Sequence, residues 1–96
     1  MKYILSQDVI NDLEEISEYI AADNPKAAIK LIETFYKTFR NLTEMPNIGH
    51  KSAGMINKGV LFWNVKNYLI VYQISGSDIN IVRILSSYRD IKSLLE

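Results

Sequence analysis

The last third of the chain holds two β-rich runs, neither with a clearly polar side. Tyr68-Leu69-Ile70-Val71-Tyr72-Gln73-Ile74 leads into Ser75-Gly76-Ser77-Asp78, and Ile79-Asn80-Ile81-Val82-Arg83-Ile84-Leu85 follows. Two such runs around a Gly-containing turn predict a β-hairpin. Alternate residues of a strand point to opposite faces. Tyr68, Ile70, Tyr72 and Ile74 should therefore share one face, and Leu69, Val71 and Gln73 the other. In the partner run, Ile79, Ile81, Arg83 and Leu85 should oppose Asn80, Val82 and Ile84. The preceding run, Val60-Leu61-Phe62-Trp63-Asn64-Val65, splits the same way and joins through a tight turn at Lys66-Asn67. A sheet that is apolar on both sides needs two covers.

The first half offers one. Lys2 to Leu5 reads as a short strand, and Ser6 as an N-cap with Asp8 in the first helical turn. Val9, Leu13, Ile16 and Ile20 then recur at helical spacing. Asn24-Pro25 closes this helix and starts another, with Pro at the first position, where its missing N–H costs nothing. Ala28, Leu31, Ile32, Phe35, Tyr36, Phe39 and Leu42 form a broader, more aromatic stripe, and Met45-Pro46 stops it. The short connection predicts an antiparallel helix hairpin. His50 to Lys58 reads as a loop, and Ile91 to Leu95 as a last helical turn. The expected fold is α+β in a single domain over 1–96: an N-terminal strand, a two-helix hairpin, then a three-stranded antiparallel meander. The helices cover one face of this antiparallel sheet. The other face is either a partner site or is covered by loop 50–58, the C-terminal segment or a second copy.

Composition narrows the chemistry. At 96 residues a single modest core is available. No cysteine is present, which removes disulfides and thiolate chemistry and fits a reducing cytosol. No apolar run approaches the ~18 residues of a membrane span, and the N-terminus has no signal-peptide core, so the expected location is cytoplasmic with no membrane partner. Residues 1–24 carry one lysine against six acids, while residues 25–92 carry ten basic residues against four acids. This segregation fits either an acidic helix beside a basic one or a basic surface for an acidic partner.

Catalytic and metal signatures are absent. His50 is the sole histidine and has no acid beside it, so it reads as a loop residue. No zinc spacing, phosphate loop or nucleophile elbow occurs, and no cofactor or metal is expected. Asp8, Asp12 and Glu15 share helical spacing and read as a solvated face. In Tyr88-Arg89-Asp90, Arg suits a phosphate and Tyr suits base stacking. The bland alternative is a local ion pair beside a packed ring.

In order and spacing the chain resembles the ParE branch of the ParE/RelE toxins, the stable halves of bacterial toxin–antitoxin pairs. The residues carrying the likeness run nearly its whole length: Ser6, Asp12-Leu13, Ile16, Tyr19-Ile20, Asn24-Pro25, Ala27-Ala28, Leu42, Pro46, Gly49, Val65-Lys66-Asn67-Tyr68, Tyr72, Val82-Arg83-Ile84-Leu85 and Arg89-Asp90. The resemblance implies a RelE/ParE-like fold and a toxin that inhibits DNA gyrase by binding, neutralised by a ParD-like antitoxin. It implies plasmid stabilisation or growth arrest as the cellular role. It also implies an antitoxin laid along the toxin as an extended and helical segment, with a homodimer or a toxin–antitoxin hetero-oligomer as the assembly. Arg83, Tyr88 and Arg89 are the candidate effector surface. Trp63, Tyr68, Ile70, Tyr72 and Leu85 are the candidate antitoxin surface.

The alternatives are a ribosome-dependent mRNA endoribonuclease of RelE type and a degenerate, non-toxic antitoxin-binding module. RelE-type nucleases place an arginine where this chain has Leu69, and an aromatic or acid–base side chain in a basic C-terminal segment that here reads Ile91-Lys92-Ser93-Leu94-Leu95-Glu96. The ParE branch commonly has an arginine near Leu61, Tyr-Arg at Tyr72-Gln73 and His-Gly-Arg at Ser86-Ser87-Tyr88. The first set of departures favours binding over cutting; the second bears on how toxic this copy is.

Overall fold

A computed structural model of the chain describes residues 1–51 and 59–86. The elements run β1 (Lys2–Leu5), α1 (Gln7–Ala21), α2 (Pro25–Glu44), β2 (Val60–Val65), β3 (Tyr68–Ser75) and β4 (Asp78–Leu85). Both helix starts are set by capping residues. The Ser6 hydroxyl accepts the Val9 N–H at 3.1 Å, and the Asn24 side chain accepts the Ala27 N–H at 3.1 Å, with Pro25 opening α2. Each such cap satisfies a backbone donor the helix cannot pair itself. Among the described residues no helix is long and apolar enough to cross a membrane.

The sheet has the order β1-β4-β3-β2. β2, β3 and β4 form the expected antiparallel meander. Its hairpin turn has Gly76 at φ 59°, while Ser77 keeps a negative φ. That is the sign pattern of a type II′ turn, which matches strand twist. β1 departs from the all-antiparallel expectation: it pairs parallel with β4, from Lys2↔Asp78 to Leu5↔Ile81. Two-residue turns force antiparallel neighbours, whereas β1 reaches β4 through both helices and is free of that constraint.

A second departure lies inside β4. Tyr72 pairs with Ile81 but Val71 pairs with Arg83, so Val82 is an extra residue and the register shifts there. Such a bulge reverses the alternation beyond it. Ile79, Ile81 and Ile84 therefore face the helices, and Leu85 faces away. The expected grouping of Ile81, Arg83 and Leu85 on one face fails at this point.

The main core lies between the hairpin and the sheet. Val9, Leu13 and Ile16 of α1 and Leu31, Phe35, Phe39 and Leu42 of α2 meet Val65, Ile70, Tyr72, Ile79, Ile81 and Ile84. Ring pairs tie the layers together: Phe35 meets Tyr68 edge-on at 5.4 Å, and Tyr3 meets Phe39 at a tilt at 5.6 Å. Contacts of this kind add about 1 kcal/mol each beyond buried area. On the opposite face Val60, Phe62, Val71 and Leu85 are also buried, with Leu69 and Val82 half-buried around them. The second apolar face is thus closed within the single chain. Of the alternatives left open by the sequence, a partner is not needed for the burial of these four side chains. The loop expected over residues 52–58 and the closing turn expected at Ile91–Leu95 lie outside the described residues.

Candidate functional site

β1 stops at Leu5, but β4 continues to Leu85, so the upper half of β4 loses its strand neighbour. Backbone groups on that edge need other partners. The start of α1 supplies them. The Ser6 N–H donates to the Ile81 carbonyl at 3.1 Å. The Ser6 hydroxyl donates to the Val82 carbonyl, at the bulge, at 2.9 Å. Further along α1, Asp12 accepts the Ile84 N–H at 2.9 Å. The same carboxylate accepts from two donors along one edge of the Arg83 guanidinium, Nε at 3.0 Å and Nη2 at 3.1 Å. A bidentate pair of this kind fixes geometry as well as charge.

Asp12 is therefore not part of a solvated face. It is buried, while Asp8 and Glu15 stay exposed. The sequence does carry a signal for this: Asp12 sits three residues after Val9 and four before Ile16, within the apolar stripe. A carboxylate there requires a partner, and that partner lies 71 residues away. Arg83, expected on the effector surface, turns its guanidinium into this lock and keeps 38% of its side chain exposed.

Beside the lock lies an open cleft of about 490 Å³, lined by Glu15, Ile16, Tyr19, Asn67, Tyr68 and Ser86. Burial raises the Tyr68 phenol above the usual tyrosine value, and the nearby Tyr19 phenol adds to the shift. Ser86, at its rim, is the last described residue after β4. Tyr88 and Arg89, the other effector candidates, lie outside the described residues.

The five antitoxin candidates do not form one surface. Ile70 and Tyr72 have no accessible area and belong to the core beneath the helices. Leu85 is buried on the opposite face because of the bulge. For these three, a surface role is corrected by burial. Trp63 and Tyr68 flank the main core and keep part of their surface exposed. Tyr72 instead braces the chain that follows α2. Its hydroxyl accepts the Gly49 N–H at 2.9 Å and donates to the Pro46 carbonyl at 2.8 Å. A Cβ on Gly49 would run into this ring, so the glycine is required by close approach. His50 follows and pairs through its backbone with Phe62, at 2.9 Å in both directions.

Among the described residues, no three of His, Cys, Asp and Glu converge as metal ligands. What the site offers is a part-buried ion-pair lock at the root of the C-terminal segment and an aromatic, acidic cleft beside it. That geometry suits holding a binding surface. In fold, the chain is similar to one solved in the chromosomal ParDE TA system from P. aeruginosa. The TM-score is 0.77 at 19% identity, over 90% of this chain and 95% of that one. No curated protein matches the sequence. The family profile described as ParE toxin of type II toxin-antitoxin system, parDE, matches residues 3–91. With nearly its full length inside that profile, the chain belongs to the ParE toxin family of type II toxin–antitoxin systems.

Proposed function

We propose that this ParE-type toxin acts by binding DNA gyrase and is held in check by a ParD-like antitoxin. The observation that carries the binding reading over RNA cleavage is the residue found where a nuclease arginine is expected. Leu69 stands where RelE-type enzymes place an arginine, and it packs half-buried beside Val60, Phe62, Val71 and Leu85. Arg83 is held by a buried carboxylate. A guanidinium neutralised in this way contributes little to the charge developing at a scissile phosphate. Tyr88 and Arg89 remain the proposed contact residues, with Arg83 anchoring the strand that leads to them. For the antitoxin, Trp63 and Tyr68 are the candidates that keep exposed area.

Controlled expression in bacteria tests the role. Induction of the chain alone should arrest growth, and co-expression of the small neighbouring reading frame should restore it. Primer extension on translating ribosomes separates the mechanisms: codon-specific cuts would replace the gyrase reading with a nuclease. Growth unaffected at high expression would identify a degenerate copy.

A further inference from the structure

We infer that the cleft between α1 and the start of β3 is a receptor for an arginine side chain presented by a partner polypeptide. Glu15 and Tyr19 stand four residues apart on α1 and so share one side of the helix. Asn67 and Tyr68 line the same cleft from the β2–β3 turn and the start of β3, and Ile16 lines it from the edge of the core. Among the described residues Glu15 has no ion-pair partner. Tyr19 is 83% exposed, more than any other large apolar side chain among the described residues. Tyr68 meets Phe35 edge-on and does not stack on Tyr19, so both phenol rings border open volume. Burial and the Tyr19 phenol raise the Tyr68 pKa, which keeps that ring neutral and its face available to a cation.

The lining selects the class of ligand. An anion would meet Glu15 and the neighbouring Asp8, Glu14 and Glu18 on a helix with no lysine or arginine. A metal ion would find one carboxylate, and no three ligating groups converge among the described residues. An organic cation suits both the carboxylate and the rings. A guanidinium lies flat on a phenol ring while its N–H groups donate to a carboxylate. It is also more weakly hydrated than an ammonium, so it gives up less on meeting the apolar side of Ile16. The volume of about 490 Å³ is that of a ligand cleft, ample for one side chain. Free arginine would bring its own carboxylate towards Glu15, and no described lining residue is positively charged to receive it. An arginine within a polypeptide carries no such charge. The inference holds whether or not gyrase is the target, and it leaves the Asp12–Arg83 lock untouched.

Heteronuclear NMR titration of the labelled full chain tests this, with Nα-acetyl-arginine amide as the probe. Saturable shifts should appear at Glu15, Tyr19, Asn67 and Tyr68, with a dissociation constant of about 1–20 mM, as suits a single side chain. Acetyl-glutamine amide, which lacks the charge, should bind at least about tenfold more weakly. Acetyl-lysine amide and free arginine should each bind at least about threefold more weakly. Glu15→Gln should weaken binding of the arginine probe about fivefold or more, and Tyr19→Ala about threefold or more. Tyr19→Phe keeps the ring face and should stay within about twofold of wild type. So should Glu14→Gln, which lowers the charge of α1 by the same amount but lies off the cleft, within about twofold. The substituted side chains are exposed, and the same spectra report that each variant is folded. No saturable shift up to about 50 mM probe would overturn the inference. So would a glutamine probe that binds equally well, or Glu15→Gln and Tyr19→Ala variants that bind like wild type. A lysine probe of equal affinity would overturn the guanidinium assignment, and tighter binding of free arginine would overturn the polypeptide as its source.

Discussion

Asp12, in the middle of α1, accepts from Nε and Nη2 of the Arg83 guanidinium and from the Ile84 N–H of β4 on a single carboxylate. This contact closes the edge that β1 leaves open. Removing it should cost more than an ordinary surface ion pair, because Asp12→Ala leaves a buried N–H without an acceptor. It should cost less than a fully buried pair, because Arg83 is partly in water. We predict a loss of about 2–3 kcal/mol for Asp12→Ala, and about half that for Asp12→Asn, which keeps an acceptor. Urea denaturation at neutral pH measures both.

Tyr72 should behave as a buried strut. Tyr72→Phe strands the Gly49 N–H and the Pro46 carbonyl and should destabilise the chain by about 2 kcal/mol. Gly49→Ala drives a methyl into the Tyr72 ring and hydroxyl and should cost at least about 2 kcal/mol. In the double variant the missing hydroxyl relieves part of that clash, so the combined loss should be smaller than the sum. A double-mutant cycle by thermal or urea unfolding reads the difference.

Alkaline pH should weaken the fold through two tyrosines. Burial raises the phenols of Tyr68 and Tyr72 above the ordinary value of 10.0; for Tyr72 the Gly49 hydrogen bond offsets part of the rise. The folded state then holds these protons more tightly than the unfolded chain. Their contribution is fully present below pH 10.0 and is lost as the pH climbs through the raised folded values. Stability measured by urea titration from neutral pH upward should stay level in this respect and fall beyond that point. Tyr72→Phe should show a shallower decline.

The face of the sheet away from the helices gives a separate test. Phe62 is buried there in the single chain. Phe62→Ala should destabilise the isolated protein by about 3–5 kcal/mol, the usual cost of emptying a large core site. A face that waited for a partner would lose almost nothing in isolation, so unfolding without any antitoxin present discriminates the two.

What is legible in the sequence is local. Ser6 and Asn24-Pro25 mark helix starts through contacts made within three residues, and Gly76 marks a turn whose backbone sign only glycine adopts freely. The meander follows from its short connections. The features that escape a sequence reading depend on distant partners. Asp12 looks like one more acid on an acidic helix until Arg83 arrives from the far end of the chain. The parallel seat of β1 depends on where two helices carry the chain. The Val82 bulge carries no glycine and leaves no mark in an unbroken β-rich run, yet it moves Ile84 to one face and Leu85 to the other. With that reversal, an antitoxin surface assembled by strict alternation separates into core and periphery. The effector candidates come from family pattern, and of the three only Arg83 falls within the described residues.

Binding to gyrase is the step on which the proposed role of this toxin rests. DNA supercoiling by purified gyrase in the presence of the purified chain measures it. Inhibition should appear at low micromolar toxin, be relieved by the cognate antitoxin, and weaken when Arg89→Ala removes a proposed contact without unfolding the chain. Undiminished supercoiling at about a hundredfold excess over gyrase, from a chain that still arrests growth, would rule gyrase out as the target.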